Sequence, residues 1–330
     1  MRRGPLKLLS YNVRYFGHAL RGLASTRASL QAIARELAAL VPTPDVVCLQ
    51  EIETRSVRSQ LALRAAGSAG SQLDHFMREL ERASSDLGRE LPLEGFYFPA
   101  HVNALGNVRV YTTGLAILLN TGRFSVQAHN VEKPHDITHR RLELWKDRKQ
   151  TRICAHMRVV LPGGCGLHVF NTHLSLPSPF VREFWQRRER MGWGPNQLHE
   201  ARALAGFVHR VAGNEPFVVC GDFNSPPGSP VYRLLAEEAG FHGAQAALGQ
   251  IDGVDPRAYP TAGFLRLRMH LDHLFGGNGV RWIDLDGTSR FGDRRSPFAG
   301  LSDHVPLIAR FECAGEAVAR PSAARTAPGP

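Results

Sequence analysis

Lysine is nearly missing from this sequence. Of forty basic residues only Lys7, Lys133, Lys146 and Lys149 are lysines, and the rest are arginines in a chain also rich in alanine, glycine and proline. The formal charge of +10 therefore has two readings. One is an anionic partner such as nucleic acid or a membrane surface; the other is a GC-rich codon bias, which favours all four abundant residues. Cysteine is also sparse: Cys48, Cys154, Cys165, Cys220 and Cys313 form no CxxC pair. That excludes a zinc cluster and reads as reduced thiols, with Cys48 and Cys220 as small buried hydrophobes inside apolar runs. No stretch reaches the roughly 18 apolar residues of a membrane-spanning helix. Ser10 and Asn12 interrupt the N-terminal segment before the apolar core of a signal peptide forms, so a cytoplasmic protein is expected. No internal repeat is present.

What is there suffices for a full core, since 43% of the 330 residues are hydrophobic and 21% charged. One domain over residues 1–314 is expected, followed at 315–330 by a disordered tail rich in alanine, proline and arginine. Short apolar runs read as buried strands: LKLLSYN at 6–12, DVVCLQE at 45–51, GLAILLN at 114–120, LHVFNTH at 167–173, FVVCGDFN at 217–224 and LDHLF at 271–275. Between them, residues 26–40, 71–88, 196–211 and 229–239 carry helical spacing. Interleaved strands and helices predict a layered α/β domain.

Polar residues fall in a pattern along these runs. Asn12, Glu51, His173, Asp222, Asn224, Asp272, Asp303 and His304 stand at or near strand ends. Strands lying side by side would bring them to one rim, where α/β sheets place ligands. Singly, each is explained as a cap or a structural hydrogen-bonding residue. Together they offer hard oxygen ligands without thiolate, a set suited to Mg²⁺ or Mn²⁺, and two imidazoles able to move protons. Attack on a phosphorus ester needs those groups.

The segments YN at 11–12, LQE at 49–51, NTHL at 171–174, GDFN at 221–224, LDHLF at 271–275 and SDHVP at 302–306 resemble, in order, the motifs of the endonuclease/exonuclease/phosphatase superfamily, the deoxyribonuclease-I-like enzymes. The resemblance covers residues 6–312 and implies a four-layer sandwich, two mixed β-sheets packed face to face with helices outside. It implies a metal-dependent phosphoesterase in which Glu51 is the main metal ligand, with Asn12 beside it and Asp303 assisting. Asp222 would orient or deprotonate water, and Asn224 would hold a phosphate oxygen. His304, oriented by Asp272, would contact the scissile phosphate or act as base, and His173 would donate to a non-bridging oxygen or assist the leaving group. Some abasic-site endonucleases of the superfamily have an acidic residue where Arg14 stands. That substitution leaves a second metal there in doubt and offers Arg14 as a phosphate contact or an ordinary solvated residue.

The shared motifs do not name the substrate. The segment 177–195 interleaves Phe180, Phe184, Trp185 and Trp193 with Arg182, Arg187, Arg188 and Arg190. It can stack bases and bind a nucleic-acid backbone, rest on an anionic lipid surface, or form a helix with a solvated basic face. A second basic stretch at 140–152 is open to the same readings. Arg266 and Arg268 alternate in a strand leading to Asp272 and would point together toward substrate phosphate, and Tyr111 is a further candidate contact. The expectation is a monomeric nuclease acting on a phosphodiester of nucleic acid. The alternative is a sphingomyelinase-like or inositol-phosphate phosphoesterase, while intact motifs argue against a dead binding module.

Overall fold

The computed structural model describes residues 4–14, 24–53, 71–105, 108–139, 151–177, 191–251, 259–263, 268–286 and 290–313. The expected tail at 315–330 lies outside them. Two mixed sheets carry the fold. The first contains β1 (Leu6–Asn12), β2 (Val46–Glu53), β3 (Leu93–Leu105), β4 (Val108–Asn120), β12 (Val280–Leu285) and β13 (Leu307–Cys313), in the order β12-β13-β1-β2-β4-β3. The second contains β5 (Ser125–His129), β6 (His135–Asp136), β7 (Ile153–Val160), β8 (Gly166–His173), β9 (Phe217–Asp222), β10 (His242–Gly243) and β11 (Asp272–Gly277). Its order is β10-β11-β9-β8-β7-β5, with β6 also on β7. β1 and β2 run parallel, as do β8 and β9.

Alternation along each strand builds the layers. Leu8, Val46, Cys48 and Ile117 of the first sheet meet Val169, Val218, Cys220 and Leu274 of the second in the inter-sheet core. The opposite faces, with Leu9, Val47 and Leu49 on one side and Phe170, Phe217 and Val219 on the other, pack under helices. α1 (Ala24–Ala39) and α2 (Gln72–Asp86) cover the first sheet through Leu30, Ile33, Leu37, Phe76 and Leu80. α3 (Pro195–Ala212) covers the second through Ala201, Leu204 and Val208, beside α4 (Pro230–Arg233), which continues as a wider turn over Leu234–Glu238. A short α5 (Ala244–Ala247) precedes β11. The expected four-layer sandwich is present. Among the described residues no helix is long and apolar enough to cross a membrane.

Local chemistry sets the helix starts. Ser71 caps α2, its Oγ accepting from the Asp74 amide at 3.1 Å while the Asp74 carboxylate accepts from the Ser71 amide at 2.6 Å. α3 opens on Pro195, and the side-chain oxygen of Gln197 accepts from the amides of Gly192 at 3.0 Å and Gly194 at 3.3 Å.

The sheets are also joined by a buried amide. Asn171 of β8 donates to the carbonyls of Leu49 and Ala116, both at 3.0 Å, and accepts from Gln50 Nε2 at 2.8 Å. All three partners belong to the opposite sheet. Asn171→Ala removes three buried hydrogen bonds between the sheets, and unfolding in urea should show a loss of about 3 kcal/mol, whereas a loss below about 0.5 kcal/mol would mean that water replaces the amide without penalty.

Candidate active site

The inner rows of the strands turn polar at one edge of the sandwich. β1 presents Leu6, Leu8, Ser10 and Asn12 inward; β8 presents Leu167, Val169, Asn171 and His173; β9 presents Val218, Cys220 and Asp222. β11 runs antiparallel to β9, so Asp272 at its start stands opposite Asp222 in register. Gly221 is required for this geometry: its φ is 148°, and a Cβ there would fall on the Thr172 carbonyl oxygen of β8.

Glu51 reaches the edge differently. Strict alternation would send it with Leu49 toward the helices. The pairing of β2 with β4 slips between Leu49 and Ile52, and Glu51 has a φ of 58°. This bulge turns the carboxylate to the inner edge, where it accepts from Asn12 Nδ2 at 3.2 Å. Arg14, Glu51 and Asn224 are three of the four described non-glycine residues with positive φ. Strained backbone is thus concentrated at this rim.

Asn12 holds two carboxylates at once. Its Nδ2 donates to Glu51 and, at 3.1 Å, to Asp222, while its Oδ1 accepts from the Arg14 amide at 3.0 Å. Asp222 accepts from the Asn224 amide at 2.9 Å and faces His173 Nε2 at 3.5 Å and His304 Nε2 at 3.7 Å. Asn224 donates to the Leu174 carbonyl at 2.9 Å and lies 3.3 Å from His173 Nε2. His304 Nδ1 is bound to Asp272 Oδ2 at 2.8 Å, and the same oxygen accepts from Thr261 Oγ1 at 2.6 Å. Asp303 pairs with the Arg14 guanidinium. Asn12, Glu51, His173, Asp222, Asn224, Asp272 and His304 are therefore linked through contacts that cross both sheets, with Arg14 and Asp303 as a flanking ion pair.

Burial sets the charge states. It raises the pKa of Glu51, with Asn12 opposing through its hydrogen bond. Burial also raises Asp222, against the pull of His304 and with the help of Asp272. For His304 burial favours the neutral ring, but Asp272, Asp222 and Asp303 outweigh it and lift the pKa to about 10. His173 moves the other way, pushed well down by burial and by the charges of Arg152 and His304. The site thus holds an imidazolium at His304 and a neutral imidazole at His173.

Asp222, Asp272 and His304 bring ligand atoms within 4.8 Å of one another. An imidazolium whose Nδ1 is bound to a carboxylate is a poor metal ligand. Glu51 is the better place for a cation, because its neighbour His173 at 3.9 Å is neutral and, among the described residues, no charged partner touches it. Hard oxygens from Glu51, Asp222 and Asp303 suit a dication there.

Arg182, Arg187, Arg188 and Arg266, with the side chain of Tyr111, lie outside the described residues. Arg268 stands over the Phe291 ring at 5.0 Å, Met269 forms an isolated bridge with Ala262, and residues 264–267 of the strand expected before Asp272 lie outside the described residues. Sequence reading missed Thr261 and gave no separate role to Arg152 in the 140–152 stretch. Arg152 stands at the start of β7 and lines a shallow recess that opens next to Glu51 and His173 and is also walled by Ala100, Leu115, Thr151 and Ile153. Neither residue lies in a recognisable motif.

A family model described as the endonuclease/exonuclease/phosphatase family matches residues 9–304. No curated protein matches the chain. Among solved structures, the human Nocturnin catalytic domain with bound sulfate is similar at 20% identity and a TM-score of 0.58, over 93% of this chain and 94% of that one. ANGEL2, a 2',3'-cyclic phosphatase, is similar at 17% identity and a TM-score of 0.62, over 93% and 95%. A mannosyl-6-phosphatase of Bacteroides thetaiotaomicron is similar at 13% and 0.59, over 93% and 99%. At these identities the likeness is one of fold.

The His304 charge has a pH signature. A histidine whose folded pKa is raised from 6.5 to about 10 contributes stability that is complete below 6.5 and lost as pH rises toward 10. Asp272→Asn should flatten that decline in urea unfolding at pH 6, 8 and 10. Parallel curves for the two proteins would contradict the assignment.

Proposed function

Because the chain belongs to the endonuclease/exonuclease/phosphatase family, whose members hydrolyse phosphoester bonds, we propose that its rim cleaves a phosphodiester of nucleic acid with the aid of Mg²⁺ or Mn²⁺. The observation that carries this reading is the placement of His304, whose Nδ1 is bound to Asp272 while its Nε2 faces the carboxylate of Asp222 at 3.7 Å, a position between carboxylates that favours the charged ring. A charged ring has no lone pair with which to take a proton, so the base is Asp222, whose raised pKa suits the role.

Water attacks phosphorus, Asp222 takes its proton, and the bond to the leaving oxygen breaks as His304 Nε2 gives that oxygen a proton. The Asp222 proton then returns to His304. Asn224 and His173 donate hydrogen bonds to the non-bridging oxygens, and Asn12 keeps the Glu51 and Asp222 carboxylates apart from each other and in place. Glu51, with Asn12 and Asp303 beside it, would hold the dication, which when bound offsets negative charge on the phosphate. Nucleic acid is favoured by the alternation of aromatic residues and arginines in 177–195.

Asp222→Asn should lower turnover by about 10³-fold or more with the fold intact. EDTA should abolish turnover, and Mg²⁺ or Mn²⁺ should restore it. A panel of duplex, abasic and single-stranded DNA, RNA, sphingomyelin and inositol phosphates tests the substrate, and turnover of a lipid or inositol phosphate alone would replace nucleic acid. His304→Gln should slow nucleic acid cleavage more than hydrolysis of bis(p-nitrophenyl) phosphate, whose leaving group needs no proton; equal losses would remove His304 as the acid.

A further inference from the structure

Arg152 is a buried cation that the reaction above does not use. Its side chain enters the recess beside Glu51 and His173, and the residue is only 9% exposed. Nε donates to Ser175 Oγ at 3.3 Å. Ser175 is in turn fixed by the fully buried Glu200, which accepts from the Ser175 amide at 2.8 Å and from its hydroxyl at 2.7 Å. Gln197 Nε2 holds the Ser175 carbonyl at 2.8 Å. The guanidinium is thus oriented from behind by a hydroxyl that cannot itself move freely.

The front of the guanidinium is different. Among the described residues, Arg152 makes no ion pair, and neither Nη1 nor Nη2 has a hydrogen-bond acceptor. A guanidinium held at Nε presents its two terminal nitrogens as a parallel fork, the geometry that matches two oxygens of one oxyanion. Its charge acts on Glu51 and His173 without direct contact, so the fork keeps its terminal donors for an added oxyanion at the recess. Of the other walls, Ala100, Leu115 and Ile153 are apolar, and the one carboxylate among them, Glu51, is the group that would hold the dication.

We propose that Arg152 is a specificity residue that binds a second phosphate of the substrate, separate from the phosphate that is cleaved. The idea rests on the phosphodiesterase reading of the neighbouring rim and narrows it to substrates with a further phosphate within about one nucleotide. An uncharged flanking group would give the guanidinium fork no pair of oxyanion oxygens to bind. The roles are divided: the rim acts on the scissile group, and the recess selects what is attached to it.

The test is equilibrium binding by calorimetry in Mg²⁺ buffer, comparing thymidine 3',5'-bisphosphate with thymidine 5'-monophosphate and thymidine 3'-monophosphate. For the wild type the bisphosphate should bind at least tenfold more tightly than either monophosphate, and in Arg152→Gln that ratio should fall to near one. A wild-type ratio near one, or a ratio that survives in Arg152→Gln, overturns the proposal. Should Arg152→Gln fail to fold, Arg152→Lys carries the test, because it keeps the charge and loses the fork: a ratio at least halved supports the proposal, and an unchanged ratio overturns it. Binding does not require turnover. A wild type that hydrolyses no phosphoester would therefore count against the phosphodiesterase reading, while the binding ratio still judges Arg152.

Discussion

The position of one sheet over the other depends on the side-chain amide of Asn171. Apolar packing between the sheets is strong but non-directional, and contacts such as Val169 and Cys220 against Cys48 and Ile117 do not by themselves fix a lateral offset. Asn171 does, because its two N–H groups and its oxygen are all spent on Leu49, Ala116 and Gln50 across the interface. Leu49 and Ala116 are the last regular pair of β2 and β4 before the bulge that turns Glu51 inward. One side chain thus supports both the offset of the sheets and the irregularity that the site needs. Without that offset, Asn12 on the first sheet would not reach Asp222 on the second.

Electrostatics follows from this placement. Four carboxylates meet at the rim, and three have a cation at contact: Asp272 and Asp222 share His304, and Asp303 has Arg14. Among the described residues, Glu51 is in contact with the amide of Asn12 and the neutral ring of His173 and with no cation. Burial then raises Glu51 for want of a counter-charge, which marks it as the place where added positive charge is most stabilising. Arg152 supplies part of that field from a distance while keeping its own hydrogen-bonding front unspent.

Much of this was legible in the sequence, for a physical reason. Runs such as LHVFNTH and FVVCGDFN are buried on both faces, so they read as continuous apolar strands. Their polar ends then mark where the sandwich opens, which located His173, Asp222 and Asn224 before any coordinates. Helix limits were also close, since Pro195 and the Ser71–Asp74 pair are local signals. β3, β5, β7, β12 and β13 were not recognised: β5 and β12 are only partly buried, and in β3 and β7 polar residues such as Asn103, His156 and Arg158 break the apolar run. The inward turn of Glu51 was not readable from alternation, because a bulge changes the parity of the strand. Thr261 and the orientation of Arg152 arise from loops brought close only by tertiary packing, and no spacing rule announces such contacts. Gln50 and Asn171 stood in the quoted motifs, yet their work is architectural and no reaction scheme called for them.

The amide nitrogen of Gln197 holds the carbonyls of Ser175 and Asn224, and its oxygen holds the amides of Gly192 and Gly194. The chain therefore departs from the rim and re-enters α3 at points fastened to a single buried side chain. Four backbone groups on either side of residues 178–190 are thus held by one side chain, so a sequence change within that stretch leaves the partners of Gln197 unaltered.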